Sequence, residues 1–262
     1  GPTMNKPATG RPPVWAYWVV LPAFVLLWAV VAQILETSML PTPLDVLDRL
    51  MEEASSGALW NHLGATLGRV AVAFILAMFM GSAIGLAMGR STTTNALFDP
   101  LLVLLLNLPA LVTIILMYVW FGLVEVAAVM AVVINKVPNV AVTVREGARS
   151  LDYRLEQMAT VYRFTRWQRC RNVWIPQLFP YLMAATRGGL ALIWKIVLVV
   201  ELLGRSNGVG FQLHMAFQVF DVASILAYSL AFIAVAQLIE LAILQPLERR
   251  SSRWRQPEMT YA

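Results

Sequence analysis

The chain has 262 residues, 59% of them hydrophobic and only 13% charged, and its mean hydropathy is +0.67. Soluble globular domains carry about 25% charged residues, so the composition excludes a soluble domain and predicts an all-α integral membrane protein. The net charge of +5 would suit a nucleic-acid-binding protein, but the arginines lie in loops beside apolar segments and no nucleic-acid-binding motif accompanies them. One cysteine and two histidines exclude an internal disulfide and make no metal-ligand cluster. We therefore expect contact with membrane lipid, no nucleic-acid partner and no metal.

The first part of the chain combines a polar segment, a membrane span and a surface helix. Residues 1–13 are predicted to be disordered on the cytoplasmic side, and their first three residues, which precede a methionine, resemble the scar of a removed expression tag. Residues 14–35 carry no charge and are long enough to cross a hydrocarbon core of ~30 Å, so they form the first predicted span. After a proline-rich break at residues 41–43, residues 44–53 alternate apolar and acidic groups. This pattern predicts an amphipathic helix on the outer surface.

The second predicted span, residues 67–88, contains the start of a row of regularly spaced glycines that ends just after it. Gly81, Gly85 and Gly89 recur every four residues. Small residues at this spacing let the backbones of two helices approach closely in lipid. Glycine is also generally frequent in membrane spans. The alternative interpretation is therefore that the row has no role in helix packing.

Two further spans are predicted before the main polar loop. A short inner loop follows the second span, and residues 101–120 form the third span, which Asn107 and Pro109 interrupt. The fourth span begins at Glu125 and runs inward to about residue 144. It carries the polar residues Asn135, Lys136 and Asn139.

The stretch from residue 145 to 180 is the only long polar interruption of the sequence. It carries seven arginines against three acids. Apolar residues recur there at the spacing of an amphipathic helix, at Leu155, Met158, Ala159 and Tyr162. Thr165 can cap a second short helix, and residues 175–176 are expected to end it because proline cannot continue the hydrogen-bond ladder. Two short helices are therefore predicted in a loop of about residues 145–177, on the side of the membrane that collects arginine.

The last part of the chain supplies two more spans. Residues 178–203 form the fifth, which carries Arg187 and Lys195, and residues 225–247 form the sixth. Between them, residues 204–221 are predicted to be an outer loop that dips back toward the bilayer.

These segments predict one transmembrane domain, residues 14–250, followed by a cytoplasmic tail, residues 251–262. Six spans with both termini in the cytoplasm place nearly all arginine on one face of the membrane, as the positive-inside rule requires. The sequence shows no internal repeat, so any two-fold symmetry must come from a second copy of the chain.

The polar loop resembles the cytoplasmic loop of permease subunits of bacterial ABC importers. That family carries Glu-Ala-Ala, three residues, Gly, nine residues, and Ile-x-Leu-Pro, and the matching positions here are Gln157-Met158-Ala159, Arg163 and residues 173–176. Gln157 stands where the family has glutamate, and Arg163 stands where the family has the glycine of a turn. An arginine with positive φ at that position would be strained.

Further short motifs extend the resemblance to about residues 38–254 and to the nitrate, sulfonate and taurine branch of these permeases. Each is weak alone, but their order and spacing match, at residues 41–43, 88–90, 99–100, 120–122, 201–203 and 208–210. The resemblance implies a homodimeric permease in the bacterial inner membrane, two cytoplasmic ATPase subunits that hold ATP and Mg, and an external solute-binding protein. It implies that the ATPase contacts Leu155, Gln157, Met158, Ala159, Tyr162, Arg163, Val173, Ile175 and Pro176.

The residues themselves also argue for a non-catalytic subunit of a transporter. The chain has no phosphate-binding loop of the form G-x-x-x-x-G-K-[ST], so energy for ATP-driven import must come from another polypeptide. An ion-gradient-driven secondary transporter is the alternative, although such carriers usually show inverted repeats. An intramembrane enzyme is disfavoured because no catalytic triad, metal cluster or carboxylate pair lies within a span. We expect no catalytic residue and no cofactor in this chain.

Polar residues at membrane depth are the candidates for contact with solute, because charge there is costly and is usually functional. Lys136 lies near the middle of the fourth span, and Lys195 lies ~9 Å below Glu201 at 1.5 Å per residue. Glu240 lies near the inner end of the sixth span, too deep to pair with Lys195. The sequence predicts a path for a small anion along Lys136, Lys195, Asn107 and Asn139. For each lysine the alternative is a structural residue that snorkels or is bonded internally.

Overall fold

The structure, a computed structural model, describes residues 13–151, 153–247 and 249. Every regular element in those ranges is helical, which confirms the all-α prediction; the elements are α1 (Val14–Leu35), α2 (Pro43–Ser56), α3 (Ala58–Arg90), α4 (Thr92–Asn107), α5 (Ala110–Phe121), α6 (Glu125–Arg149), α7 (Tyr153–Val161), α8 (Arg166–Arg169), α9 (Ile175–Gly204), α10 (Val209–Gln218) and α11 (Val222–Ile239). The predictions for the N-terminal segment before Pro13 and for the tail after residue 250 lie outside the described residues.

Within the described ranges, five helical segments are long and apolar enough to cross a membrane: Val14–Leu35, Ala58–Arg90, Glu125–Arg149, Arg166–Gly204 and Val222–Leu247. The predicted third span is divided into α4 and α5, whose axes meet at 98°. The break falls at Leu108 and Pro109, where the backbone is extended. The structure therefore has five spans, or six if the bent pair counts as one.

The loop after α6 differs from the prediction at its C-terminal end, around residues 170–176. Residues 175–176 do not end the second short helix, and that expectation is wrong: α8 continues without interruption through the π-helical segment Cys170–Trp174 into α9. In the π register the Ile175 N–H reaches back to the Cys170 carbonyl. Pro176, which has no N–H to donate, directly follows this π-helical turn.

Two other boundaries also move. The second span begins at Ala58 rather than at residue 67, so α2 and α3 are separated only by Gly57. The predicted outer loop of residues 204–221 contains a helix, α10, which packs against α9 and α11. The sixth span continues beyond α11 through a second π-helical segment, Glu240–Leu244.

The core of the bundle is the contact between α3 and α6. A Cβ atom built on Gly81 would lie 2.6 Å from the Val140 Cβ, and one built on Gly85 would lie 2.5 Å from the Ala141 carbonyl oxygen. The third glycine of the row, Gly89, faces α6 in the same way. The glycine spacing therefore has the packing role that one of the two sequence interpretations gave it. Alanines and valines of α3, α6 and α9 fill the remaining space.

The bundle has two chemically different ends. The α7 end carries Arg90, Arg149 and the α7–α8 connection, and the α10 end carries α2, α10 and the first residue of α6, Glu125. Helix α1 lies at the periphery, where its Trp28 indole donates a hydrogen bond to the Pro41 carbonyl at 2.9 Å. Most of its apolar side chains are exposed, as expected of a helix surrounded by lipid.

Candidate functional site

The α7–α8 connection is a tight turn with a formed cap. Thr165 Oγ1 accepts a hydrogen bond from the Gln168 N–H at 3.2 Å, and the Gln168 side-chain oxygen accepts one from the Thr165 N–H at 3.0 Å. This reciprocal capping box confirms the predicted cap. Arg163 has φ 53°, so the chain keeps the left-handed turn for which the related permeases use glycine. The Phe164 N–H closes the turn on the Ala159 carbonyl at 2.9 Å.

Helix α7 is attached to the rest of the bundle through Glu156. This carboxylate lies 3.1 Å from the Arg90 guanidinium at the end of α3, and it accepts a hydrogen bond from the Trp174 indole. The Arg90 guanidinium also lies over the Trp174 ring, 5.6 Å from its centroid. Glu156 therefore points into the protein, whereas its neighbour Gln157, the residue at the family's glutamate position, is exposed.

The residues of the predicted apolar stripe of α7 differ in their exposure to solvent. Ala159 is 0% exposed, so the expectation that it offers a contact surface is wrong, because its small side chain fits inside the turn. Val173 is also buried, whereas the other residues predicted to contact the ATPase are exposed. Tyr162 and Trp167 are 71% and 69% exposed. We call the exposed apolar group here the α7 surface; it comprises Tyr153, Leu155, Met158, Val161, Tyr162 and Trp167.

Lys136 is buried in the middle of α6. It lies 11 residues after Glu125 and 13 before Arg149, the two ends of the helix, and it is 4% exposed. Its side chain lines a cavity of about 300 Å³ between α6 and α9, together with Asn139. Within the described ranges, the ammonium has no hydrogen bond or ion pair.

The other two predicted path residues lie elsewhere. Lys195 lines a separate cavity of about 240 Å³ between α9 and α11. Glu240 lines that cavity as well, and within the described residues no ion pair joins it to Lys195. Asn107 is exposed at the end of α4, and its amide donates to the Val103 carbonyl at 2.8 Å. The structure thus brings together only Lys136 and Asn139.

An ion-pair network at the α10 end is absent from the sequence predictions. Arg69 of α3 pairs with Glu125 of α6 at 2.6 Å and with Glu201 of α9, and it donates to the Asn207 carbonyl at 2.9 Å. Glu201 is 0% exposed and also accepts from the Thr66 hydroxyl at 2.8 Å. One arginine therefore joins α3, α6, α9 and the connection to α10.

The signal for this network was present in three separate pieces. Arg69 is one of few charges near an otherwise apolar span, and Glu201 and the glycine pair at positions 208 and 210 belong to motifs that carry the family resemblance. Gly208 has φ 108°, and a Cβ there would lie 2.0 Å from a Glu201 carboxylate oxygen. Only glycine allows the backbone to pass this close to the carboxylate.

Comparison with known proteins identifies the family. Residues 73–245 match the sequence model of the binding-protein-dependent transport system inner membrane component. The chain is 30% identical over 92% of its length to the putative aliphatic sulfonates transport permease protein SsuC of Bacillus subtilis, covering 88% of that protein. It is 29% identical over 89% of its length to the taurine transport system permease protein TauC of Escherichia coli, covering 87% of it.

A solved structure shows the same fold. A chain of the MetNI methionine ABC transporter, in a crystal form with inward-facing conformations, superimposes with a TM-score of 0.64 at 15% identity. The superposition covers 78% of the present chain and 99% of that chain. The sequence match and this fold agree with each other. The chain therefore belongs to the binding-protein-dependent transport system inner membrane component family, as a multi-pass, non-catalytic permease subunit of an ABC importer whose nucleotide is bound by partner ATPases.

Proposed function

We propose that two copies of this chain form the pathway by which a small anion is imported, and that α7 and α8 couple the pathway to the ATPase subunits. The single observation that carries the coupling proposal is the α7 surface, a group of exposed apolar side chains on an element held firmly by Glu156. Tyrosine, tryptophan and arginine dominate binding energy at protein interfaces, and Tyr162, Arg163 and Trp167 are all exposed here.

The contact is with a protein rather than with lipid. The α7 surface is interspersed with exposed charged side chains, among them Arg163 and Arg166, which a hydrocarbon environment would disfavour. Gln157, Ile175 and Pro176 are exposed near the same element and would complete the contact. Ala159 and Val173 support the surface from inside.

The charge distribution supports cytoplasmic termini. The α7 end collects Arg90, Arg145 and Arg149, and α2 at the α10 end carries acids such as Asp45 and Asp48. By the positive-inside rule the α7 end faces the cytoplasm, where an ATPase has access to ATP. The α10 end then faces the external solute-binding protein.

A homodimer and an anionic solute follow from different arguments. The sequence has no internal repeat, so a two-fold pathway requires a second copy.

The relatives are named for aliphatic sulfonates and taurine, both of which carry a sulfonate group. Two of the three lysines of the chain, Lys136 and Lys195, lie within spans and supply positive potential along the path, with Asn139 and Asn107 as neutral polar groups.

The coupling proposal is tested with Tyr162→Asp. We expect the purified permease to remain monodisperse while its binding to the ATPase and the solute-stimulated ATP hydrolysis both fall, because a charge replaces an apolar contact. Val219→Asp is the matched control for ATPase binding, since Val219 is also 71% exposed but lies at the α10 end, away from the proposed ATPase contact. Full ATPase binding and stimulation by the Tyr162→Asp permease would refute the assignment. Ala159→Arg is not a suitable test, because it would disrupt the buried side of the turn.

A further inference from the structure

The cavity beside Lys136 owes its shape to two adjacent glycines of α9. A Cβ built on Gly189 would lie 2.7 Å from Lys136 Cε and 3.3 Å from its Nζ, so the lysine side chain occupies the space that a larger residue would need. A Cβ built on Gly188 meets no atom within 4 Å. Gly188 therefore leaves open space, and Gly189 makes room for the lysine.

The ammonium in this cavity lacks a counter-charge. Among the described residues, no aspartate or glutamate lines the cavity, and Lys136 has neither an ion pair nor a hydrogen bond. An unpaired charge at this depth is costly and is retained for function. A site with room for a few water molecules is also large enough for a small oxyanion.

The amide of Asn139 supplies a further hydrogen-bond donor to the cavity, whereas the nearby amide of Asn135 is not part of the cavity lining. Asn139, on the next turn of α6, uses one N–H for a long contact with the Asn135 carbonyl at 3.4 Å, and its amide has a second N–H. The side-chain nitrogen of Asn135 is buried and has no partner in the described residues. Unsatisfied buried donors are rare and call for an explanation.

We propose that this cavity is a transient subsite for the anionic head group of the solute, a sulfonate or an oxyanion of similar size, with the Lys136 ammonium as its counter-charge. Asn139 contributes a neutral donor, and Gly188 sets the size of solute that can pass. This inference rests on the proposed function, since it requires an anion to be transported. One cation and few donors give weak binding, which suits a site that must also release its solute.

The test uses proteoliposomes containing the complete importer and measures uptake of nitrate, methanesulfonate and taurine. Lys136→Met keeps most of the length of the side chain and removes the charge. We expect uptake to fall about tenfold or more, since charge-assisted hydrogen bonds are among the strong ones. The melting temperature should rise, because an unpaired buried charge is removed. Lys195→Met, in the other cavity, should reduce uptake by less.

The two glycines give a matched pair. Gly189→Ala should reduce uptake as Lys136→Met does, because its methyl group displaces the retained ammonium. Gly188→Ala should spare nitrate and slow taurine, because its methyl group only narrows the cavity.

Three results would overturn the subsite. The first is uptake at the wild-type rate by Lys136→Met. The second is a fall of both the uptake and the melting temperature of Lys136→Met, which would make Lys136 a structural residue. The third is that Gly188→Ala and Gly189→Ala change the uptake of every solute equally. Failure of the wild-type importer to take up any of the three anions would instead refute the anionic solute in the proposed function, and the subsite with it.

Discussion

The close contact between α3 and α6 predicts that Gly85→Ala destabilises the bundle although alanine is the better helix former. The added methyl carbon would lie 2.5 Å from the Ala141 carbonyl oxygen and 2.9 Å from the Val144 Cβ. Ordinary contacts between such atoms are about 3.5 Å or longer. The two backbones would therefore have to separate by about 1 Å, since neither contacting atom is the end of a flexible side chain.

The magnitude follows from two opposed effects. Overpacking a well-packed interface costs about 1–3 kcal/mol, and replacing glycine by alanine in a helix gains up to about 1 kcal/mol. We expect Gly85→Ala to be destabilising by about 1–2 kcal/mol, which corresponds to a fall of a few degrees in melting temperature for a chain of this size.

The control is Gly68→Ala in the same helix. Gly68 is exposed, and a Cβ there meets no atom within 4 Å, so only the gain in helix propensity remains. Both variants are heated in detergent, and the monodisperse fraction is measured by size-exclusion chromatography. Gly85→Ala should melt below the wild type and Gly68→Ala at or above it. Equal melting of the two variants would refute the tight α3–α6 contact.

Three further substitutions test other parts of the structure. Glu201→Ala should destabilise the protein by about 1–3 kcal/mol in the same heating assay, because the Thr66 hydroxyl and the Gly210 N–H lose the buried carboxylate that accepts their hydrogen bonds, whereas Arg69 keeps its ion pair with Glu125; wild-type melting would contradict the network. Burial alone would raise the pKa of Asp221, but hydrogen bonds from Ser224 and Arg49 lower it below the ordinary 3.8. The contribution of the Asp221 carboxylate to stability is therefore complete above pH 3.8 and is lost as the pH falls through its lower pKa in the folded protein. The difference in melting temperature between the wild type and Asp221→Asn should accordingly disappear on acidification. A difference that stays constant with pH would show that the charge of Asp221 does not stabilise the fold. Arg163→Gly should relieve about 1 kcal/mol of strain at the positive φ yet bind the ATPase more weakly, if the guanidinium pairs across the interface; unchanged affinity in a pull-down would exclude that pairing.

The sequence could predict the features that depend on local pattern. The first span runs from Val14 to Leu35 as expected, because hydropathy alone determines which segment enters lipid. The Thr165 cap and the glycine row of α3 are also local signals, and the structure confirms both. These predictions needed only residues within a few turns of one another.

The features that the sequence could not predict depend on helix phase or on distant partners. Pro176 lies in a continuous helix whose preceding turn adopts the π register, and no single residue signals that register. Lys136 and Lys195 were both predicted to line one path, but the structure places Lys136 in a cavity between α6 and α9 and Lys195 in a separate cavity between α9 and α11. Arg69 and Glu201 are separated by more than a hundred residues, and only the folded bundle brings them together.

The most direct test of the central claim uses proteoliposomes that contain this chain and its ATPase. With the solute-binding protein outside and ATP enclosed at the α7 end, radiolabelled taurine or nitrate should accumulate. Accumulation should stop when ATP is omitted and when Tyr162→Asp replaces the wild-type chain. Uptake that continues without the ATPase and follows an imposed ion gradient would contradict the account.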